Sequence, residues 1–130
     1  MIFERSVPAK ARQAYRLDTW TGILVGIYIG SIFPFYLIIA RDRLGASALL
    51  ISFMAAAPFA GNLFALLWAY AMEGRPKMPF AVTPWVVARA LFLLMVAAAA
   101  PLPFAIVVGI SQFLVTAASP AYAAIMKDIY

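Results

Sequence analysis

Cysteine and histidine are both absent from this chain of 130 residues, and charged residues are scarce, with 10 basic and 5 acidic side chains. The two absences exclude disulfides, Cys/His metal sites, cysteine nucleophiles and histidine general bases. The low charge argues against a soluble domain, which carries many more charges on its surface. Apolar residues make up 66% of the chain, against roughly 45–50% in an ordinary soluble domain. The composition predicts a membrane protein with no cofactor, no metal and no nucleic-acid partner.

Charge-free stretches about as long as a bilayer is thick alternate with short charged segments. They cover Trp20–Ala40, Leu44–Met72 and Met78–Met126, the last broken only by Arg89. A helix needs roughly 20 residues to cross a hydrocarbon core of ~30 Å, so the third stretch is too long for one crossing. Pro101-Leu102-Pro103 divides it, because two prolines so close remove backbone hydrogen bonds from a helix interior. The sequence predicts an all-α integral membrane protein with four transmembrane helices, at about 20–40, 47–70, 84–100 and 104–122.

The basic residues predict the orientation of these helices. Residues 1–19 are expected to form a basic cytoplasmic arm and residues 123–130 a cytoplasmic tail. With the N-terminus inside, seven of the ten basic residues lie on the inner side, and two, Arg41 and Arg43, lie outside. Because lysine and arginine are enriched in cytoplasmic loops, we expect a multi-pass inner-membrane protein with both termini in the cytoplasm. Trp20, Trp68 and Trp85 would then all lie at the inner interface.

Small residues recur every four positions in the first two predicted helices. Gly22, Gly26 and Gly30 form one row, and Gly61 belongs to a similar row in the second helix. Residues four apart share a helix face, and small residues there let two helices approach closely in lipid. The rows predict helix packing, with homodimerisation through one row as the alternative.

Five polar side chains inside the predicted helices are candidates for lining a substrate path, because polar groups within a membrane are functional by default. They are Tyr28, Ser31, Asn62, Gln112 and Thr116. The alternative is that they only form hydrogen bonds between helices, which contribute roughly 0.6–2 kcal/mol each.

Arg89 is the one charged residue within the predicted helices. It lies about 7.5 Å beyond Pro84 at the helical rise of 1.5 Å per residue, so its side chain could snorkel to the inner interface; a cavity-facing role is the alternative. No carboxylate lies within the predicted helices, so a proton relay would lack its usual titrating group. Since no nucleophile–base pair can be assembled either, we do not expect an enzyme.

The order of these features resembles the N-terminal part of a major facilitator superfamily transporter, over roughly residues 15–130. A glycine-rich first helix is followed by Leu44-Gly45-Ala46-Ser47, then by Glu73-Gly74-Arg75-Pro76-Lys77 after the second helix. The Pro-Leu-Pro turn and a fourth helix ending in Ser119-Pro120-Ala121-Tyr122 complete the series. Gly74-Arg75 match the second Gly-Arg of the family's inner-loop motif, although its first glycine and its aspartate are replaced here.

The resemblance implies a partial major-facilitator-type helical half-domain that transports a small solute by alternating access. It implies that helices 1 and 4 line the path. It also implies that the 71–83 loop closes the inner side as a latch, through Glu73, Gly74, Arg75 and Lys77. The chain would then be the N-terminal fragment of a secondary transporter, with the lipid bilayer, the solute and the remaining helices as partners. Two alternatives stay open: a non-transporting membrane adaptor or assembly subunit, and a small four-helix dimeric exporter.

Overall fold

The computed structural model describes residues 11–129, and within them the secondary structure is helical, without strands. The helices are α1 (Arg12–Ile38, extended by a π-helical turn over Ile39–Arg43), α2 (Ala48–Met72), α3 (Lys77–Met95), α4 (Pro101–Ala117) and α5 (Ser119–Ile129). Four helical segments are long and apolar enough to cross a membrane: α1 with its extension, α2, α3, and α4 continued by α5. The prediction of an all-α chain with four candidate membrane helices is confirmed.

The first and last helices extend further than the sequence predicts. Helix α1 begins at Arg12, so residues 12–19 of the predicted arm are helical. Arg5 and Lys10 of the predicted arm lie outside the described residues. At the other end, α5 continues to Ile129, so most of the predicted tail is helical. The predicted bounds are those of the apolar spans, whereas a helix continues past an apolar layer without interruption.

The predicted 71–83 loop is wrong, because α2 ends at Met72 and α3 already begins at Lys77. The connection is a tight turn in which Gly74 has a positive φ of 71°, a conformation that glycine adopts at little cost. The sequence stretch is rich in proline, which favoured a loop assignment. Pro79, however, lies in the first turn of α3, where its missing N–H has no intrahelical partner to lose.

The Pro-Leu-Pro element separates α3 from α4 as predicted, but the end of α3 and the start of α4 both lie nearer the N-terminus than the predicted bounds. Helix α3 ends at Met95, before the predicted residue 100, and α4 begins at Pro101 itself. Proline is favoured at the first position of a helix because its φ is preset and its N–H is not needed there. The two prolines therefore start the fourth helix rather than fill a turn before it.

The helices run alternately up and down, so the bundle has two distinct ends. At one end, here called the distal end, Tyr36 of α1 is buried with Met54 of α2 and Phe104 of α4. At the other, the proximal end, Met72 of α2 is buried with Ala81 of α3 and with α5. The proximal end holds both ends of the described chain, because Tyr122 of α5 donates a hydrogen bond to the carboxylate of Asp18 in α1.

Helices α2 and α4 form the tightest contact of the bundle, and glycine makes it possible. A Cβ added to Gly61 would collide with the hydroxyl of Thr116 and lie 2.6 Å from the carbonyl oxygen of Phe113. A Cβ on Gly109 of α4 would similarly meet the ring of Phe53. The packing role predicted for Gly61 thus lies within the chain, and Gly109 is a second contact point of the same interface.

The outer surface of the bundle is apolar. Large side chains such as Leu24, Leu66 and Leu93 are more than half exposed. In the apolar 18-residue stretch of α1, only 11% is buried inside the bundle, against 44% in that of α4 continued by α5. Contiguous apolar surface of this extent is unfavourable in water and requires lipid or further protein around it.

Candidate functional site

A cavity of about 390 Å³ lies between α1, α2, α3 and α4. Four of the five predicted path residues line it, namely Tyr28, Asn62, Gln112 and Thr116, together with Arg89. The fifth, Ser31, is exposed on α1 and is not part of the lining. The structure therefore brings polar groups from four helices to one place within an otherwise apolar bundle.

Arg89 points into this cavity and rests on an aromatic ring. The guanidinium carbon lies 4.3 Å from the centre of the Tyr28 ring, a cation–π arrangement that contributes roughly 0.5–2 kcal/mol depending on desolvation. The Tyr28 ring is held in turn by Phe92, in an edge-to-face contact with centroids 6.0 Å apart. Arg89 therefore lines the cavity together with the aromatic residues that hold it.

Three hydrogen-bond donors of the cavity have no partner, and one of them is the buried hydroxyl of Tyr28. Gln112 is buried, with 3% of its surface exposed, and its Nε2 makes no hydrogen bond. The indole nitrogen of Trp85 is likewise buried and unpaired. Since unsatisfied buried polar groups cost free energy, such donors favour the binding of a ligand or water at this place.

Thr116 differs from Gln112, because its hydroxyl is already used within α4. It donates to the carbonyl oxygens of Gln112 at 3.0 Å and Phe113 at 3.1 Å. Ser111, one turn earlier, also donates to its own helix, to Val107 at 2.7 Å. The unpaired donors of the cavity are therefore supplied by Gln112, Trp85 and Tyr28 rather than by the hydroxyls of Ser111 and Thr116.

Trp85 lines the cavity, a position that the sequence analysis did not predict for it. Its indole stacks on the Tyr122 ring, with centroids 5.3 Å apart and an interplanar angle of 27°. Trp85 and Arg89 are four residues apart and so share one face of α3. That spacing is the sequence signal that links Trp85 to the cavity once Arg89 is known to face inward.

The proximal end carries an ion pair between α3 and α5. The Lys77 ammonium lies 2.6 Å from the Asp128 carboxylate, and both side chains are partly exposed. Of the other predicted latch residues, Arg75 lines the shallow depression beside this pair, and Glu73 is exposed. Across residues 11–129, no side-chain hydrogen bond or ion pair joins Arg75 to another residue.

The glycine row of α1 does not form a helix contact within the described chain. No atom lies within 4 Å of a Cβ built on Gly22, Gly26 or Gly30. Helix α1 joins the bundle through its other face, which carries Tyr28 and Tyr36. The predicted packing of this row therefore requires a surface from outside residues 11–129.

No family model, curated protein or solved structure matches this chain. The class that the fold defines is an all-helical protein with four helices long and apolar enough to span a membrane.

Proposed function

We propose that this chain serves in the transport of a small solute across the cell membrane by alternating access, as the N-terminal four-helix part of a secondary transporter. The observation that supports the proposal is the cavity between four apolar helices, where Asn62, Gln112 and Arg89 from three different helices converge. Polar groups in apolar surroundings are costly and mark substrate paths. The proposal assigns no enzyme chemistry to the chain.

Helix α1 is placed to move relative to the rest of the bundle. It is held at the proximal end by the hydrogen bond between Asp18 and Tyr122 and at the distal end by the burial of Tyr36. The cavity lies between these two attachments, where Tyr28 supplies the contact with α3. Opening one attachment while the other holds would expose the cavity to one side of the membrane at a time.

Pro58 gives α2 a local weak point beside the cavity. It lies inside α2 and lines the cavity wall, and its missing N–H leaves the carbonyl of Met54 without the usual helical partner. Helices bend at such positions. Bending of α2 at Pro58 would widen or narrow the cavity next to Asn62.

The proximal charges form the latch in this proposal, with Lys77 and Asp128 as its pair and Arg75 beside them. In the proposed orientation the proximal end faces the cytoplasm, so that both termini are cytoplasmic. The lipid bilayer and the remaining helices of the transporter would cover the apolar outer faces, including the glycine row of α1. A second copy of the chain on that row, as in a small dimeric exporter, is the alternative that the open glycine face favours.

Thiol labelling in sealed vesicles of either orientation tests the proposal, and the absence of native cysteine allows single-cysteine variants without further changes. A membrane-impermeant thiol reagent is expected to modify Asn62→Cys from both sides of the membrane, because alternating access exposes the cavity to each side in turn. The matched control is Leu63→Cys, the next residue of α2, which is 76% exposed on a different helix face and does not line the cavity; it is expected to stay unmodified. Labelling of Asn62→Cys from one side only, or from neither, would contradict transport by this cavity.

A further inference from the structure

We infer that the cavity binds a small organic monocarboxylate with an apolar body, and that Arg89 pairs with its carboxylate. The inference rests on the proposed function, since it names the class of solute that the proposed path would take.

The charge of the cavity is positive and unbalanced. Arg89 is the only charged side chain in the lining. The carboxylates of the described chain lie elsewhere: Asp18 accepts from Tyr122, and Asp128 pairs with Lys77. Asp42 and Glu73 are exposed near the connections between helices. A guanidinium in apolar surroundings is unfavourable unless an anion accompanies it, and no acidic side chain within residues 11–129 fills that role.

The unpaired donors match a carboxylate in number and kind. An ionised carboxylate is purely an acceptor, with two oxygens and about four lone-pair positions. The cavity offers the guanidinium of Arg89 and three unpaired donors: the Nε2 of Gln112, the indole N–H of Trp85 and the hydroxyl of Tyr28. Hydrogen bonds from such donors to an ionised acceptor are stronger than those between neutral groups. A cation would gain nothing from the N–H donors of Arg89, Gln112 and Trp85, and it would be repelled by Arg89.

The walls restrict the rest of the ligand. Ile29, Phe33, Phe92 and Val115 line the cavity with apolar surface, which suits an aromatic or aliphatic body and disfavours a second charge. The volume of about 390 Å³ is at the lower end of the roughly 300–1,000 Å³ typical of ligand pockets. A single carboxylate on a compact apolar group, such as benzoate, satisfies both conditions.

The test measures binding of radiolabelled benzoate to the full chain in phosphatidylcholine nanodiscs. Benzamide, a neutral molecule of the same shape, and the benzylammonium cation are the comparison ligands. Benzoate is expected to bind, with benzamide and benzylammonium at least about tenfold weaker, since a charge-assisted hydrogen bond changes affinity by roughly 10- to 100-fold. Equal binding of benzoate and benzamide, or preference for the cation, would overturn the inference.

Variants then assign the site. Arg89→Gln is expected to weaken benzoate binding by about tenfold or more, while Arg89→Lys, which retains the charge, is expected to lose less. Gln112→Leu is expected to weaken benzoate binding several-fold. If Arg89→Gln fails to fold, the benzoate affinities of Gln112→Leu and Arg89→Lys are compared with that of the parent chain instead. The matched control is Arg43→Gln, an exposed arginine in the π-helical turn, which is expected to bind like the parent chain. Equal binding by all folded variants would contradict the assignment to Arg89.

Lipid headgroups are the competing source of an anion. Adding phosphatidylglycerol to the nanodiscs is expected to leave benzoate affinity within about twofold, whereas competitive displacement would assign the site to a lipid headgroup and overturn the inference.

The results of the binding experiment can be told apart from those of the labelling experiment that tests transport. Two-sided labelling of Asn62→Cys without benzoate binding would retain the transport proposal and reject the ligand class. Arg89-dependent benzoate binding with one-sided labelling would retain the binding site and reject transport.

Discussion

Trp68 of α2 donates its indole N–H to the carbonyl oxygen of Phe80 in α3, at 3.0 Å. In a regular helix this carbonyl accepts from residue 84, but residue 84 is a proline inside α3 and has no N–H to donate. Trp68 thus satisfies the acceptor that Pro84 leaves free. The rings of Trp68 and Phe80 also pack edge to face, with centroids 5.8 Å apart. Pro84 is accommodated in a continuous helix because the neighbouring helix supplies the missing donor.

This relationship predicts a coupling between Trp68 and Pro84. Trp68→Phe removes the donor and is expected to destabilise the bundle by roughly 0.5–1.5 kcal/mol. In the Pro84→Ala background the same substitution is expected to cost less, because alanine restores an N–H to the Phe80 carbonyl. Reversible denaturation in mixed micelles of the parent, both single variants and the double variant measures the coupling. Identical costs of Trp68→Phe in both backgrounds would show that the hydrogen bond does not compensate for the proline.

Two glycines with opposite surroundings predict opposite effects of the same substitution. Gly61→Ala is expected to destabilise the bundle by roughly 1–3 kcal/mol, because the new methyl group meets the backbone carbonyl of Phe113, which cannot rotate away. Gly26→Ala is expected to be neutral or stabilising by up to about 1 kcal/mol, since nothing lies within 4 Å of it. The same denaturation assay compares the two. A large loss of stability for Gly26→Ala would mean that another surface packs on the glycine row.

The ion pair of Lys77 and Asp128 is expected to contribute little to stability. Both side chains are partly exposed, 37% and 58%, and exposed pairs contribute roughly 0–1 kcal/mol. A double-mutant cycle with Lys77→Ala and Asp128→Ala should give a coupling in that range, decreasing at high salt. The proposed latch concerns function instead: the charge reversal Lys77→Asp with Asp128→Lys should restore any transport that Lys77→Asp alone abolishes. Failure of the double reversal to restore transport would count against an electrostatic latch.

The attachment of α1 at the proximal end predicts a specific cross-link. A short bis-thiol reagent should join Asp18→Cys to Tyr122→Cys, because the two parent side chains are hydrogen-bonded. The matched control pairs Trp20→Cys with Tyr122→Cys, since Trp20 is 59% exposed and lies on a different face of α1. Cross-linking that is equal in both pairs, or absent from the first, would contradict the packing of α1 on α5. A protease site inserted between Arg43 and Ala48 provides the readout. After cleavage, a cross-linked chain keeps its two fragments together on a denaturing gel, whereas a chain without the cross-link separates into two fragments.

The number and order of the helical segments could be predicted because the length and polarity of each segment are local properties of the chain. Charge-free runs of bilayer length and the Pro101–Pro103 break gave the number and order of the helices. The start of α3 could not be predicted, since Pro79 and Pro84 indicate a loop unless one knows that the first falls in the opening turn and the second is compensated by Trp68. That compensation is a contact between helices, and no residue pattern within α3 records it.

The candidate site was predicted in composition but not in arrangement. Tyr28, Asn62, Gln112 and Thr116 were identified because polar residues are rare in apolar helices. Which face each presents depends on how the helices rotate against one another, and so the exclusion of Ser31 could not be predicted. The direction of the glycine row of α1 depends on the same rotation.

The most direct test of the account is the side of the membrane on which three exposed positions lie. Single cysteines at Asp42, Glu73 and Lys127 are labelled in intact cells with a membrane-impermeant maleimide, before and after permeabilisation. Asp42→Cys at the distal end should react in intact cells, whereas Glu73→Cys and Lys127→Cys at the proximal end should react only after permeabilisation. Reaction of Asp42→Cys and Glu73→Cys from the same side, or of Lys127→Cys together with Asp42→Cys, would contradict a chain that crosses the membrane four times with both termini inside.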